Sequence, residues 1–194
     1  MGIDVDCDNG LEYLEKASKE SYYSWIEANN VLTYIYLYME RDYFKALDKI
    51  SPLVSQYPGH PYFIFLKLEA LAKLNKWNDF DKEMKNATVH LNHLSKYIKE
   101  ECQTKFNYLT ALREFSRKNY NSTITLTTQI INSYNMEFNW LLGLSYYIRA
   151  QSYLELEMID LAKKDLKIVY KFDFMFPEKN EAKILYESLS SKLK

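Results

Sequence analysis

Apolar side chains recur at three- and four-residue spacing along almost the whole chain, which is the period of helices with one buried face. In "DYFKALDKISPLVSQYP", Phe44, Leu47, Ile50, Leu53 and Val54 form one such stripe. Pro52 falls within it and is expected to kink or locally break the helix. Pro58-Gly59-His60-Pro61 then supplies a turn. "YFIFLKLEALAKLNKW" reads as the next helix, ending at Asn75 and Lys76, and "WNDFDKEMKNATVHL" as a third. Short helices joined by short turns pair antiparallel.

Four stretches share one layout: "DYFKALDKI", "KWNDFDKEM", "KNYNSTITL" and "EMIDLAKKDL". Each opens on an aromatic or Ile, namely Tyr43, Trp77, Tyr120 and Ile159. Three residues later come Ala46, Phe80, Thr123 and Ala162, and four further on Ile50, Met84, Thr127 and Leu166. The intervals are 34, 43 and 39 residues, which places longer helices or loops near 86–100 and 133–140. Two helices per unit at a period of about 34 residues is the tetratricopeptide spacing. The chain resembles that family over roughly 27–176. The last unit fits the pattern well, through Tyr146, Ala150, Tyr153, Ala162 and Leu166, whereas Tyr34 stands where a small residue is usual.

The resemblance implies an all-α fold: a right-handed α-solenoid of antiparallel helix pairs, with about four repeats and terminal capping helices. The units read as 27–60, 61–94, 104–137 and 143–176, within one repeat domain over 10–194 that follows an acidic lead-in at 1–9. Leu11, Leu14 and Ala17 give the first helix an apolar side, with Gly10 at the small-residue slot. At the other end Pro177 stops the last unit and 178–194 reads as a polar-edged cap.

In such solenoids the first helix of each pair lines a concave groove. The slots that face it include Val31, Ile35 and Tyr38, then Tyr62, Phe65 and Glu69, then Lys105, Tyr108 and Phe115, and finally Tyr147 and Gln151. The face is aromatic and nearly uncharged, and apolar surface of that extent is normally covered by a partner. The reading is therefore a non-catalytic protein–protein interaction module, holding a partner peptide or helix on Tyr38, Tyr62, Phe65, Tyr108, Phe115, Tyr147 and Gln151. The competing reading is a structural or regulatory lobe of a larger protein, its groove filled by its own helices. Solvent access to Tyr62, Phe65, Tyr108 and Tyr147 separates the two. A family variant that clamps a terminal carboxylate is disfavoured, because Val31, Ile35 and Leu66 occupy its polar slots and only Lys105 agrees.

Composition narrows the rest. Apolar residues make up 47% of the 194, enough for a core, and only four Gly and four Pro argue against an all-β fold or a phosphate loop. The formal net charge of -1 leaves no cationic excess for nucleic acid. Cys7 and Cys102 are isolated and read as reduced thiols. The first ten residues lack an apolar stretch, and "VLTYIYLYM" is too short to span a bilayer, so the expectation is a cytoplasmic protein without membrane insertion. No nucleophile, phosphate-loop or zinc-protease pattern occurs, which points to no enzyme and no cofactor.

Two metal readings are weighed and set aside. Asp4, Asp6, Asp8 and Glu15 approach the spacing of a calcium loop, but Asn9 stands where that loop needs Gly. Asn9 instead reads as the N-cap of a helix, with Glu12 completing a capping box. His90 and His93 lie one turn apart on an expected helix, with Cys102 the one conceivable further ligand, fewer than a closed site needs.

Overall fold

The computed structural model describes residues 7–91, 93–137, 139–173, 176 and 178–191. Asp4, Asp6 and Pro177 lie outside them. Every regular element among the described residues is helical, so the fold is all-α. The chain divides into two compact units, Met1–His90 and Leu91–Lys194, inside the span read as one domain.

The first unit holds α1 (Cys7–Glu20), α2 (Trp25–Tyr34), a π-helical turn (Ile35–Met39), α3 (Tyr43–Gln56), α4 (Pro61–Lys73) and α5 (Trp77–Leu91). The second holds α6 (Lys96–Ser116), α7 (Tyr120–Ser133), α8 (Trp140–Glu155), α9 (Ile159–Lys171) and α10 (Glu178–Ser191). Within each unit successive helices pack on one another: α1 on α2, α2 on α3 and α3 on α4, then α6 through α10 in chain order.

The four-fold layout has a structural counterpart. Tyr43, Trp77, Tyr120 and Ile159 are the first residues of α3, α5, α7 and α9. The residue three places on, Ala46, Phe80, Thr123 or Ala162, is buried in every case. Two places before each start the backbone turns left-handed, at Arg41, Asn75, Lys118 and Glu157, with φ of 55°, 55°, 62° and 59°. At the last three the N–H of the turned residue bonds back three residues and the next N–H bonds back five, as in Lys76 to the Leu71 carbonyl at 2.9 Å. This pair of bonds satisfies carbonyls that the end of a helix leaves open. Three of the four residues are neither Gly nor Asn, and each accepts a conformation that disfavours a β-carbon by about 1 kcal/mol. The 43-residue interval follows from α6, which is 21 residues long.

Several local expectations change. α3 runs unbroken through Pro52, which lies on its exposed side. There the N–H that proline lacks would have faced Asp48, also exposed. Phe44 is 67% exposed and its ring lies under the Lys76 ammonium, 5.4 Å from the centroid. It stands about 160° around the helix from Ala46, at 3.6 residues per turn. Lys49 points inward instead. α1 begins at Cys7, so Asn9 sits inside its first turn and is not the N-cap. A β-carbon at Gly10 would meet no neighbour, so its small size serves no close approach. Gly143 is the glycine that does: the ring of Phe176 stands 2.7 Å from where its β-carbon would be.

The Glu15 side chain has a structural task. Its carboxylate meets the buried Lys49 ammonium at 2.5 Å and accepts from the Tyr36 hydroxyl at 2.8 Å, tying α1 to α3 and to the π turn. Burial works to raise the Glu15 carboxyl, but the bonds from Lys49 and Tyr36, with the charges of Lys49 and Lys19, hold it below its ordinary value of 4.5. A depressed carboxyl contributes stability above its unfolded pKa and loses it as pH falls through the folded one. Glu15→Gln is therefore expected to cost about 2 kcal/mol near neutrality, the worth of a charge-assisted hydrogen bond. Melting curves of both proteins between neutral and strongly acid pH check this: the gap between them closes below the ordinary carboxylate range.

Candidate interaction surface

The sequence pattern of α2, the π turn and α4 sends Leu32, Tyr36, Phe63, Ile64, Leu66 and Leu68 inward. Along α2, the π turn and α4 a short aromatic strip faces outward. The π turn closes with the Glu40 N–H on the Ile35 carbonyl, 2.9 Å away and five residues back. Such wide turns are frequent at functional positions. Across the junction of α2 with this turn, the rings of Tyr34 and Tyr38 lie 4.8 Å apart at 56°. Tyr38 donates its hydroxyl to Glu69 Oε2 at 2.5 Å, which places a buried carboxylate of α4 beneath the strip. Tyr62, at the start of α4, joins the same cluster. Burial, then the neighbouring Tyr34 and Glu69, hold its phenol above the ordinary tyrosine value. The phenol thus stays protonated at neutral pH, a hydrogen-bond donor beside exposed ring faces.

The groove residues divide sharply in their accessibility. Tyr62 is 38% exposed and Tyr38 is half-buried, and both lie near Tyr34 and Glu69. Phe65 and Tyr108 are each 2% exposed and Tyr147 is 8% exposed, so a partner does not reach their rings. Tyr147 belongs to the core of the second unit with Ala150, Leu166, Val169 and Ala182, the last supplied by α10. Its hydroxyl donates to Glu181 Oε2 at 2.8 Å and accepts from Gln151 Nε2 at 2.8 Å. Phe115 is half-buried, its ring edge-on to Tyr120 at 5.6 Å. Lys105 pairs with Glu101 on its own helix at 2.5 Å. The test set by access to the rings is met by Tyr62, while Phe65, Tyr108 and Tyr147 fail it.

Tyr34 is the residue that sequence reasoning left out of the site, although it is 50% exposed and central to the strip. The signal was its departure from the repeat pattern. A ring at a position that packs only small side chains has to turn outward.

No protein-family model matches the chain, and neither the curated proteins nor the solved structures give a match. The resemblance to tetratricopeptide repeats therefore rests on the chain's own spacing and burial.

The histidine pair does not share a helix, because α5 ends at Leu91 and His93 lies in the turn beyond it. His90 lies against Gly59, its Nδ1 3.6 Å from where a β-carbon there would stand. Among the described residues no three His, Cys, Asp or Glu side chains gather as metal ligands. Glu15, the last residue of the calcium-like stretch, is committed to Lys49 and Tyr36. Among the described residues, no helix is long and apolar enough to cross a membrane.

Proposed function

We propose that this chain is a non-catalytic protein–protein interaction module, a tetratricopeptide-like right-handed solenoid that receives a partner peptide or helix on the face formed by α2, the π turn and α4. The observation that carries the reading is the strip of exposed Tyr34 and Tyr62 with the half-buried Tyr38, over the buried Glu69. Tyrosines suit such contacts because each offers a large rigid ring and a polar tip. Their hydroxyls set the register of the partner, and the rings provide apolar anchorage. A cytoplasmic location suits this reading, since the buried Cys102 is a free thiol.

A second reading is favoured for the second unit by one observation, the covering of Tyr147 by α10. There the aromatic face serves as core, as in a structural or regulatory lobe of a larger assembly. The two readings apply to different parts of one chain.

The experiment is co-purification with quantitative mass spectrometry, comparing the wild type with Tyr34→Ala/Tyr62→Ala. The variant is expected to keep its helical circular dichroism and its melting temperature, because it removes exposed rings, and to lose the partners specific to the wild type. Identical partner sets from the two folded proteins would refute the proposal.

A further inference from the structure

α9 carries a row of like charges that the fold does not answer. Ala162, Asp165, Leu166 and Val169 face inward. Lys164, Lys167 and Lys171 are exposed and Lys163 is half-buried. Lys163, Lys167 and Lys171 follow one another at four-residue spacing, about 6 Å apart along the helix at 1.5 Å per residue. Like charges one turn apart disfavour a helix. Where like charges stand four residues apart on α3 and at the end of α6, carboxylates answer them: Lys45 meets Asp42, Lys49 meets Glu15, and Arg113 and Arg117 meet Glu114. On α9, among the described residues, none of the four ammonium groups has an ion pair or hydrogen bond. Asp160 stands four residues before Lys164 without pairing to it. Asp165 is no counter-charge to the row, since Arg149 takes both its oxygens, at 2.7 and 2.9 Å. Leu161 and Ile168, 41% and 40% exposed, border the row on one side.

We propose that the outer face of α9 is a docking site for an acidic helical segment of a partner protein, its carboxylates one turn apart against Lys163, Lys167 and Lys171, and its apolar side chains against Leu161 and Ile168. Charge complementarity selects the occupant. The chain as a whole is slightly acidic at -1, so the basic row is a local segregation and not a general excess. The outermost arc of the helix is ammonium, with its two aliphatic side chains more than half covered at one edge. A helix that inserts into lipid turns its apolar face outward, and α9 does the reverse. This site belongs to the second unit and the tyrosine strip to the first.

The test is fluorescence anisotropy on the full chain. The probe is a labelled helical peptide with glutamates at every fourth position and leucines on the adjoining face. A second arm uses vesicles of equal phosphatidylserine and phosphatidylcholine. The wild type is expected to bind the peptide, more weakly as salt rises. Lys163→Glu/Lys167→Glu/Lys171→Glu is expected to lose at least about tenfold in affinity, in line with reversing an attractive charge contact. A matching triple Gln variant is expected to fall between the two, which keeps the test decisive if charge reversal disturbs folding. Lys167→Glu alone, which sets an opposite charge between Lys163 and Lys171, is expected to raise the melting temperature. Peptide affinity equal in the wild type and the triple Gln variant, or binding to the vesicles and not to the peptide, would overturn the proposal.

Discussion

Asp165→Ala is expected to destabilise the second unit by about 3–5 kcal/mol, the range for removing one partner of a buried ion pair. The carboxylate receives two parallel bonds from Arg149, from Nε at 2.7 Å and from Nη2 at 2.9 Å. The remaining Nη1 donates to Thr128 Oγ1 at 2.9 Å, and the guanidinium lies 5.2 Å from the Tyr146 centroid and 5.9 Å from that of Tyr153. One arginine thus joins α7, α8 and α9. Burial pushes the Asp165 carboxyl up even against the guanidinium beside it. The pair is valuable because it is complete. With the carboxylate gone, a cation stays behind whose side chain is only 13% exposed. Replacing both residues, as in Arg149→Met/Asp165→Leu, is expected to be near neutral, since matched apolar groups remove the desolvation cost along with the attraction. Urea titrations of the two single variants and the double variant measure this directly. A double variant as unstable as Asp165→Ala would show that shape, and not charge, governs the site.

Tyr108→Ala is expected to cost about 3–5 kcal/mol, the range for emptying a buried aromatic position. Its ring is among the largest fully buried side chains and sits at the middle of α6. Tyr108→Phe keeps the buried ring and is expected to cost far less, because no cavity opens. A groove residue would behave differently. Truncating an exposed ring usually moves stability by less than about 0.5 kcal/mol, and the loss would appear in binding alone. Denaturant unfolding of Tyr108→Ala therefore separates a core role from a surface role, whatever the partner is.

The spacing of Tyr43, Trp77, Tyr120 and Ile159 made the helix pairs legible, because a backbone turn and a buried residue three places on recur with it. Periodicity does not reveal the polar residues that face inward. Lys49 and Asp165 lie on helices whose apolar stripes are clear, and a stripe assigns every charge to solvent. Their partners, Glu15 and Arg149, stand 34 and 16 residues away, beyond what a local pattern carries. Phe44 was misread for the converse reason: its apolar character counted toward a stripe whose inward direction Ala46 and Ile50 define. The groove residues shared a repeat register but not a common depth. Register tells which way a side chain points from its own helix, while burial depends on what packs over it. For Tyr147 that cover is α10, which lies outside the repeating pattern.

Hydroxyl-radical footprinting of the folded chain, read residue by residue by mass spectrometry, tests the division of the aromatic face most directly. Tyr34 and Tyr62 are predicted to be oxidised in the native state, while Phe65, Tyr108 and Tyr147 stay protected until denaturant unfolds the chain. Oxidation of Tyr108 and Tyr147 at the rate of Tyr34 would contradict the account, because the aromatic positions would then form one open groove.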